Sequence, residues 1–260
     1  MPAATSIVFS SFGVTAEVVI EDPARVDAVC ARLPPDWQRA DLEPRAIFTL
    51  TDTGTVLANG KKVTPLEGRE DLDALESAVC AEIAAQAPDY VFVHAGVVAR
   101  HGQAIVLPGA TMAGKSTIVA ALVAAGAEYY SDEYAVLDQE GRVHPYARPL
   151  ALRTWPEMEQ RQVAVQDLGG VIGRGAANVA VVAALRFRFG GSWRPAKSTS
   201  ADGALALLSQ TIPVRERPGQ AVAVVRRAVE GAIVIEGARG EADEAATMLL
   251  GVLEDHNARA

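Results

Sequence analysis

Cysteine is scarce in this chain of 260 residues: Cys30 and Cys80 stand alone, without a pairing pattern or metal-ligand spacing. A disulfide framework finds no support there, and two lone thiols suit a reducing, cytoplasmic compartment. Histidine is sparse too, and its 4 copies show no zinc-like spacing. Basic residues are outnumbered, 24 Lys and Arg against 32 Asp and Glu, giving a net charge of −8. That balance argues against broad nucleic-acid binding through the phosphate backbone. No apolar run reaches the roughly 18 residues that span a bilayer, so no membrane association is expected. Met1 to Phe12 lacks a basic stretch ahead of a long apolar core, so a secretory signal is not expected either. Repeats and low-complexity tracts are missing. What is there is ordinary for a globular protein: 50% hydrophobic and 22% charged residues, enough chain for a core domain plus a small appendage.

Periodicity and turn signals divide the chain into residues 1–88 and 89–260. In the first part, Ser6 to Phe9, Ala16 to Ile20, Ala46 to Thr51 and Thr55 to Ala58 read as short strands. Asn59-Gly60 reads as a hairpin turn leading to Lys61–Val63. Asp71 to Gln86 reads as a helix, with Leu72, Leu75, Val79 and Ile83 at helical spacing. This is the pattern of a small α+β appendage. From Val91 the chain turns to strand, strand, loop, helix, strand, the opening of an α/β core. Further on, Val179 to Phe189 and Ala221 to Val225 read as strands, and Ala201 to Gln210 and Glu241 to Leu253 as helices. Residues 155–177, rich in glycine, read as a surface loop.

The most informative segment is Gly109-Ala110-Thr111-Met112-Ala113-Gly114-Lys115-Ser116, a complete G-x-x-x-x-G-K-[ST] phosphate loop, followed by Thr117. The glycines permit the tight turns that converge backbone N–H groups on an anion. Lys115 offers a positive charge for the β- and γ-phosphates, and the Ser116 hydroxyl is a natural Mg²⁺ ligand. Upstream, Gln103 to Leu107 reads as a buried strand; downstream, Lys115 to Ala125 reads as a helix closed by Gly126. Strand, glycine loop and helix put a phosphate at a positive helix N-terminus, so ATP or another nucleoside triphosphate is the expected ligand.

Chemistry on that ligand needs acid groups. The strand after the loop helix carries Ser131-Asp132-Glu133, whose adjacent carboxylates can divide proton acceptance from metal coordination, although the same tripeptide also suits a solvated turn. His94 sits among aliphatics, where a packed core histidine is the default. Arg148, Arg153 and Arg174 are candidates for neutralising transition-state charge, with plain solvation as the alternative. Arg186-Phe187-Arg188 followed by Trp193-Arg194-Pro195 forms a basic-aromatic cluster suited to an acidic peptide or to strand-edge packing.

His94-Ala95-Gly96-Val97-Val98, Gly109 to Thr117 and Gly126 to Leu137 together resemble the catalytic domain of bacterial HPr kinase/phosphorylase. More narrowly, they are similar to kinase-like relatives of that domain sometimes encoded beside peptide-modifying enzymes. The resemblance implies a P-loop nucleotide-binding core of HPr-kinase type, preceded by the α+β appendage. It implies that Asp132 is the base activating a serine hydroxyl and that His94 lies near the same phosphate site. It also implies a capacity to form homo-oligomers. The chain departs from the family at Pro149-Leu150-Ala151-Leu152-Arg153, where an alanine stands in place of an expected acid, which leaves the reverse, phosphorylase reaction open. Residues 1–88 do not resemble the parent's N-terminal domain.

The expected activity is Mg²⁺-dependent transfer of the ATP γ-phosphoryl group to a hydroxyl of a peptide, protein or small molecule. Lys115, Asp132 and His94 would serve the chemistry, residues 109–117 the nucleotide, and Ser116 and Glu133 the metal. An ATPase switch, or a nucleotide-binding module without turnover, are the alternatives.

Overall fold

Left-handed turn residues set the rhythm of the first unit. Phe12 and Gly13 (φ 48° and 76°) and Asn59 and Gly60 (φ 49° and 76°) each have positive φ at both central positions, the geometry that joins two antiparallel strands tightly. The computed structural model describes residues 4–64, 70–110, 113–154 and 159–258, and they form two compact units, residues 1–89 and 90–260. The first unit contains β1 (Thr5–Ser11), β2 (Val14–Ile20), α1 (Val26–Cys30), β3 (Gln38–Arg39), β4 (Ala46–Leu50), β5 (Val56–Ala58), β6 (Lys61–Lys62) and α2 (Asp71–Gln86). Its sheet runs β3-β1-β2-β4-β5-β6, with β2 and β4 parallel and the other neighbours antiparallel. Alternation along the strands buries Ile7, Phe9, Val18, Ile20, Phe48 and Leu50, while α2 buries Leu75, Val79 and Ile83.

The second unit is built on β7 (Val91–Arg100), β8 (Gln103–Pro108), α3 (Lys115–Ala124), β9 (Glu128–Ser131), β10 (Tyr134–Leu137), β11 (Val143–His144), β12 (Leu150–Thr154), β13 (Glu159–Val163), β14 (Asn178–Phe187), β15 (Arg194–Lys197), α4 (Ser200–Leu208), α5 (Pro218–Val229), β16 (Ile233–Arg239) and α6 (Ala242–Asn257). Its main sheet of 8 strands runs β11-β10-β7-β8-β14-β16-β15, with β9 also on β7. β8, β14 and β16 are parallel, and β7 is antiparallel to β8. Side chains alternate between the faces. Val97, Val106, Val182 and Val234 face a core with Leu207, Val224 and Val225 of α4 and α5. Val98, Ile105, Val181 and Ile235 face the other core with Val119, Leu122, Leu249 and Leu253 of α3 and α6. Two-sided coverage explains why these strands read as near-continuous apolar runs.

Two expectations require correction, and one strand went unread. Ala221 to Val225 is not a strand but part of α5, which starts at Pro218 and buries Ala221, Val224, Val225, Ala228 and Val229 at helical spacing. Residues 155–177 are not all loop: β13 pairs with β12 as a two-stranded ribbon, and Val165–Leu168 forms a 3-10 turn. Strand β16, between β14 and the edge strand β15, carried no expectation, because Gly237 and Glu236 interrupt its aliphatic run. The α/β character itself is as read. Among the described residues no helix is long and apolar enough to cross a membrane.

Candidate functional site

The site is organised by β7, which serves as a common rail. Ala95 stands opposite Pro108, the last residue of β8, while its N–H donates to the Glu133 carbonyl on the other side at 3.1 Å. One residue earlier, the His94 carbonyl accepts from the Gly109 N–H at 3.2 Å. Loop and acid pair therefore lie at the same level of the sheet, on opposite sides of one strand. Helix α3 comes close to that rail because residue 96 is glycine: a Cβ there would sit 2.7 Å from Val119 Cγ2.

The loop leads directly into α3. Gly114 is the N-cap in the left-handed region (φ 79°, ψ 23°), no side chain caps the helix, and its first turn holds no acidic residue. The first N–H groups of a helix lack intrahelical partners, so this end is suited to an anion. Lys115 Nζ donates to the carbonyls of Gly109 and Ala110 at 2.8 and 2.9 Å, lying across the loop. Ser116 is half-buried beside it and Thr117 is exposed. Ala113 is half-buried, while Thr111 and Met112 lie outside the described residues.

On the other side of β7, Ser131 Oγ accepts from the N–H groups of Glu133 and Tyr134 at 3.1 and 2.9 Å. That turn interrupts what would otherwise be one strand through β9 and β10, and it lifts Asp132 and Glu133 out of the ladder. The solvated-turn alternative does not hold, since Ser131 and Asp132 are only 1% and 8% exposed. Both oxygens of Asp132 are engaged. Tyr129 Oη lies 2.9 Å from Asp132 Oδ1 and 2.9 Å from the Arg148 carbonyl, and the Ala151 N–H donates to Asp132 Oδ2 at 3.2 Å. Burial, followed by the Asp132 charge, pushes the Tyr129 phenol well above its usual range, so it remains a donor.

The charges at this end of the sheet feel one another. Burial lowers the Lys115 pKa, and the negative charges of Asp132 and Glu133 oppose that. Burial also lowers the His94 pKa, the Lys115 charge lowers it further, and contact with the Glu133 main chain opposes both. The His94 ring packs 4.9 Å from the Tyr134 ring. His94, Lys115, Asp132 and Glu133 thus share one electrostatic neighbourhood, with His94 biased to its neutral form. Arg153 and Arg174 are exposed and make no ion pair among the described residues, whereas the Arg148 carbonyl meets the Tyr129 hydroxyl that also contacts Asp132. Among the described residues no group of three or more His, Cys, Asp or Glu forms a metal cage.

Two contributors carry no motif. Tyr129 precedes Asp132 by three residues, a spacing that hinted at contact only once the strand break was known. Arg239 ends β16, 125 residues beyond Gly114, and donates from Nη2 to the Gly114 carbonyl at 3.2 Å. No local pattern connects residues so far apart. Neither protein-family profiles nor curated proteins yield a match to this chain.

Proposed function

We propose that this protein is an ATP-dependent phosphotransferase with a P-loop core of HPr-kinase type, acting on a hydroxyl acceptor, serine above all. The observation that carries this reading is the shared neighbourhood of Lys115, Asp132 and Glu133 beside an uncapped helix N-terminus entered through a glycine loop. The donor set fits the ligands. Polyphosphate suits free helix N–H groups plus one lysine. Mg²⁺ needs only one or two protein oxygens besides phosphate and water, which Ser116 and Glu133 would supply without a protein cage.

When bound, ATP supplies the phosphoryl group and Mg²⁺ neutralises charge on its phosphates. The chain's own residues do the rest. Lys115 exchanges the loop carbonyls for phosphate oxygens. Asp132, held at both oxygens by Tyr129 and Ala151, orients the acceptor hydroxyl and takes its proton. Neutral His94 adds no further positive charge beside Lys115. Positioning and charge stabilisation supply most of the rate in phosphoryl transfer, so Lys115→Ala and Asp132→Asn should each lower kcat by about 10²–10³-fold.

The test is incubation with Mg²⁺ and γ-labelled ATP, with and without host-cell extract, alongside both variants. Label appearing on an extract component, and lost in both variants, supports the kinase. Free phosphate released equally with and without extract would replace it by an ATPase switch.

A further inference from the structure

Arg239 is 3% exposed, yet no carboxylate lies within ion-pairing distance among the described residues. Its guanidinium donates to two carbonyls, Gly114 at 3.2 Å and Gly240 at 3.0 Å, and lies over the Phe187 ring at 4.9 Å. Its Nε is buried with no hydrogen-bond partner among the described residues. A buried cation held by carbonyl dipoles and a ring face, with no carboxylate paired to it, is costly. Burial lowers its pKa, and only the charge of Glu241 opposes this. For packing alone, an apolar side chain of the same volume would serve better. What this cation touches is the residue that opens α3.

We propose that Arg239 is a positioning residue for the phosphate chain: it clamps the Gly114–Lys115 peptide and lends the loop a fixed positive charge from behind. Donation to the Gly114 carbonyl polarises that peptide group and strengthens the Lys115 N–H, its opposite end, as a donor. The same contact demands glycine at 114 a second time. Besides the left-handed φ of 79°, a Cβ at that position would lie 2.6 Å from Arg239 Nη2. The anchor is rigid, because Arg239 also closes the β14–β16 ladder, its carbonyl accepting from the Arg188 N–H at 2.9 Å. The following residue, Gly240, is pressed against Gly191, where a Cβ would meet the carbonyl oxygen at 2.2 Å. The Gly114–Lys115 peptide is thereby tied to the end of the sheet. This inference rests on reading 109–116 as a phosphate loop.

Arg239→Met and Arg239→Lys, compared with wild type in calorimetric titrations with ATP, ADP, AMP and pyrophosphate and in thermal melts without ligand, test it. Arg239→Met should keep or raise the ligand-free melting temperature while weakening ATP binding by about ten-fold or more, the loss expected for one charge-assisted interaction. The loss should be largest for ATP, smaller for ADP and smallest for AMP, a gradation that a merely structural role would not produce. Arg239→Lys, which keeps the charge and loses the fork, should fall between. Wild-type affinity in a folded Arg239→Met overturns the inference and leaves the phosphate-loop reading standing. If Arg239→Met does not fold, a folded Arg239→Lys equal to wild type for ATP overturns it as well. Wild type that binds neither ATP nor pyrophosphate removes the phosphate-loop reading itself, and this inference with it.

Discussion

Tyr129 and His94 are the residues whose chemistry is most exposed to test. The buried Tyr129 hydroxyl lies 2.9 Å from both the Asp132 carboxylate and the Arg148 carbonyl and shares its one proton between them. Tyr129→Phe leaves those acceptors short of a donor and should cost about 1–3 kcal/mol in chemical denaturation. It should also lower kcat while leaving the KM for ATP unchanged, because it releases Asp132 and not the loop; an unchanged kcat would detach Asp132 from the chemistry. For His94, burial and then Lys115 hold the folded pKa below the usual 6.5. The folded state thus binds the proton less tightly than the unfolded one. The stabilisation is complete above pH 6.5 and is lost as pH falls through the lowered folded value. Melting temperatures recorded between about pH 7.5 and 5.5 should fall more steeply for wild type than for His94→Gln, and parallel curves would contradict this. Local sequence made Lys115 and Asp132 readable, since each sits in a short pattern with a chemical reason. Tyr129 and Arg239 were not readable, because their partners are chosen by a strand break and by long-range pairing.

At the level of elements, the site depends on how closely α3 approaches β7. Gly96→Val places a side chain where Val119 Cγ2 already stands 2.7 Å from the first added carbon. The resulting overpacking should cost about 1–3 kcal/mol and weaken nucleotide binding by displacing the helix N-terminus. A variant with wild-type melting temperature and affinity would show that the approach is not constrained there. The strand–loop–helix segment was legible because each piece announces itself: an apolar run, then glycines, then an alanine-rich helix closed by Gly126 (φ 90°). Asn59-Gly60 was legible for the same reason, since few pairs of residues tolerate positive φ twice in succession. Ala221 to Val225 was misread as a strand because five apolar residues fit either period. Only Pro218 at the start and Ala228 and Val229 further along reveal the helix. β16 was hidden by Gly237, which sits at φ 148° with Arg194 O 2.7 Å from its would-be Cβ, a position where β15 crosses too closely for a side chain.

For the whole molecule, the division at residues 89 and 90 separates units that each bury their own apolar residues, and the entire candidate site falls in the second. A fragment of residues 90–260 should melt cooperatively and bind Mg²⁺-ATP with an affinity close to that of the full chain. A fragment that folds but does not bind would assign part of the site to the first unit. The cysteines, Cys30 and Cys80, form no disulfide and both lie in that first unit; Cys80 is buried, so a thiol reagent should label Cys30 and leave nucleotide binding intact. The central claim is that Gly109 to Ser116 holds a polyphosphate, and the most direct measurement is the dissociation constant of Mg²⁺-ATP for wild type and for Lys115→Ala by calorimetry. The account predicts saturable one-to-one binding that Lys115→Ala weakens by about ten-fold or more. Binding that is absent in a folded wild type, or unaffected by losing Lys115, would contradict it.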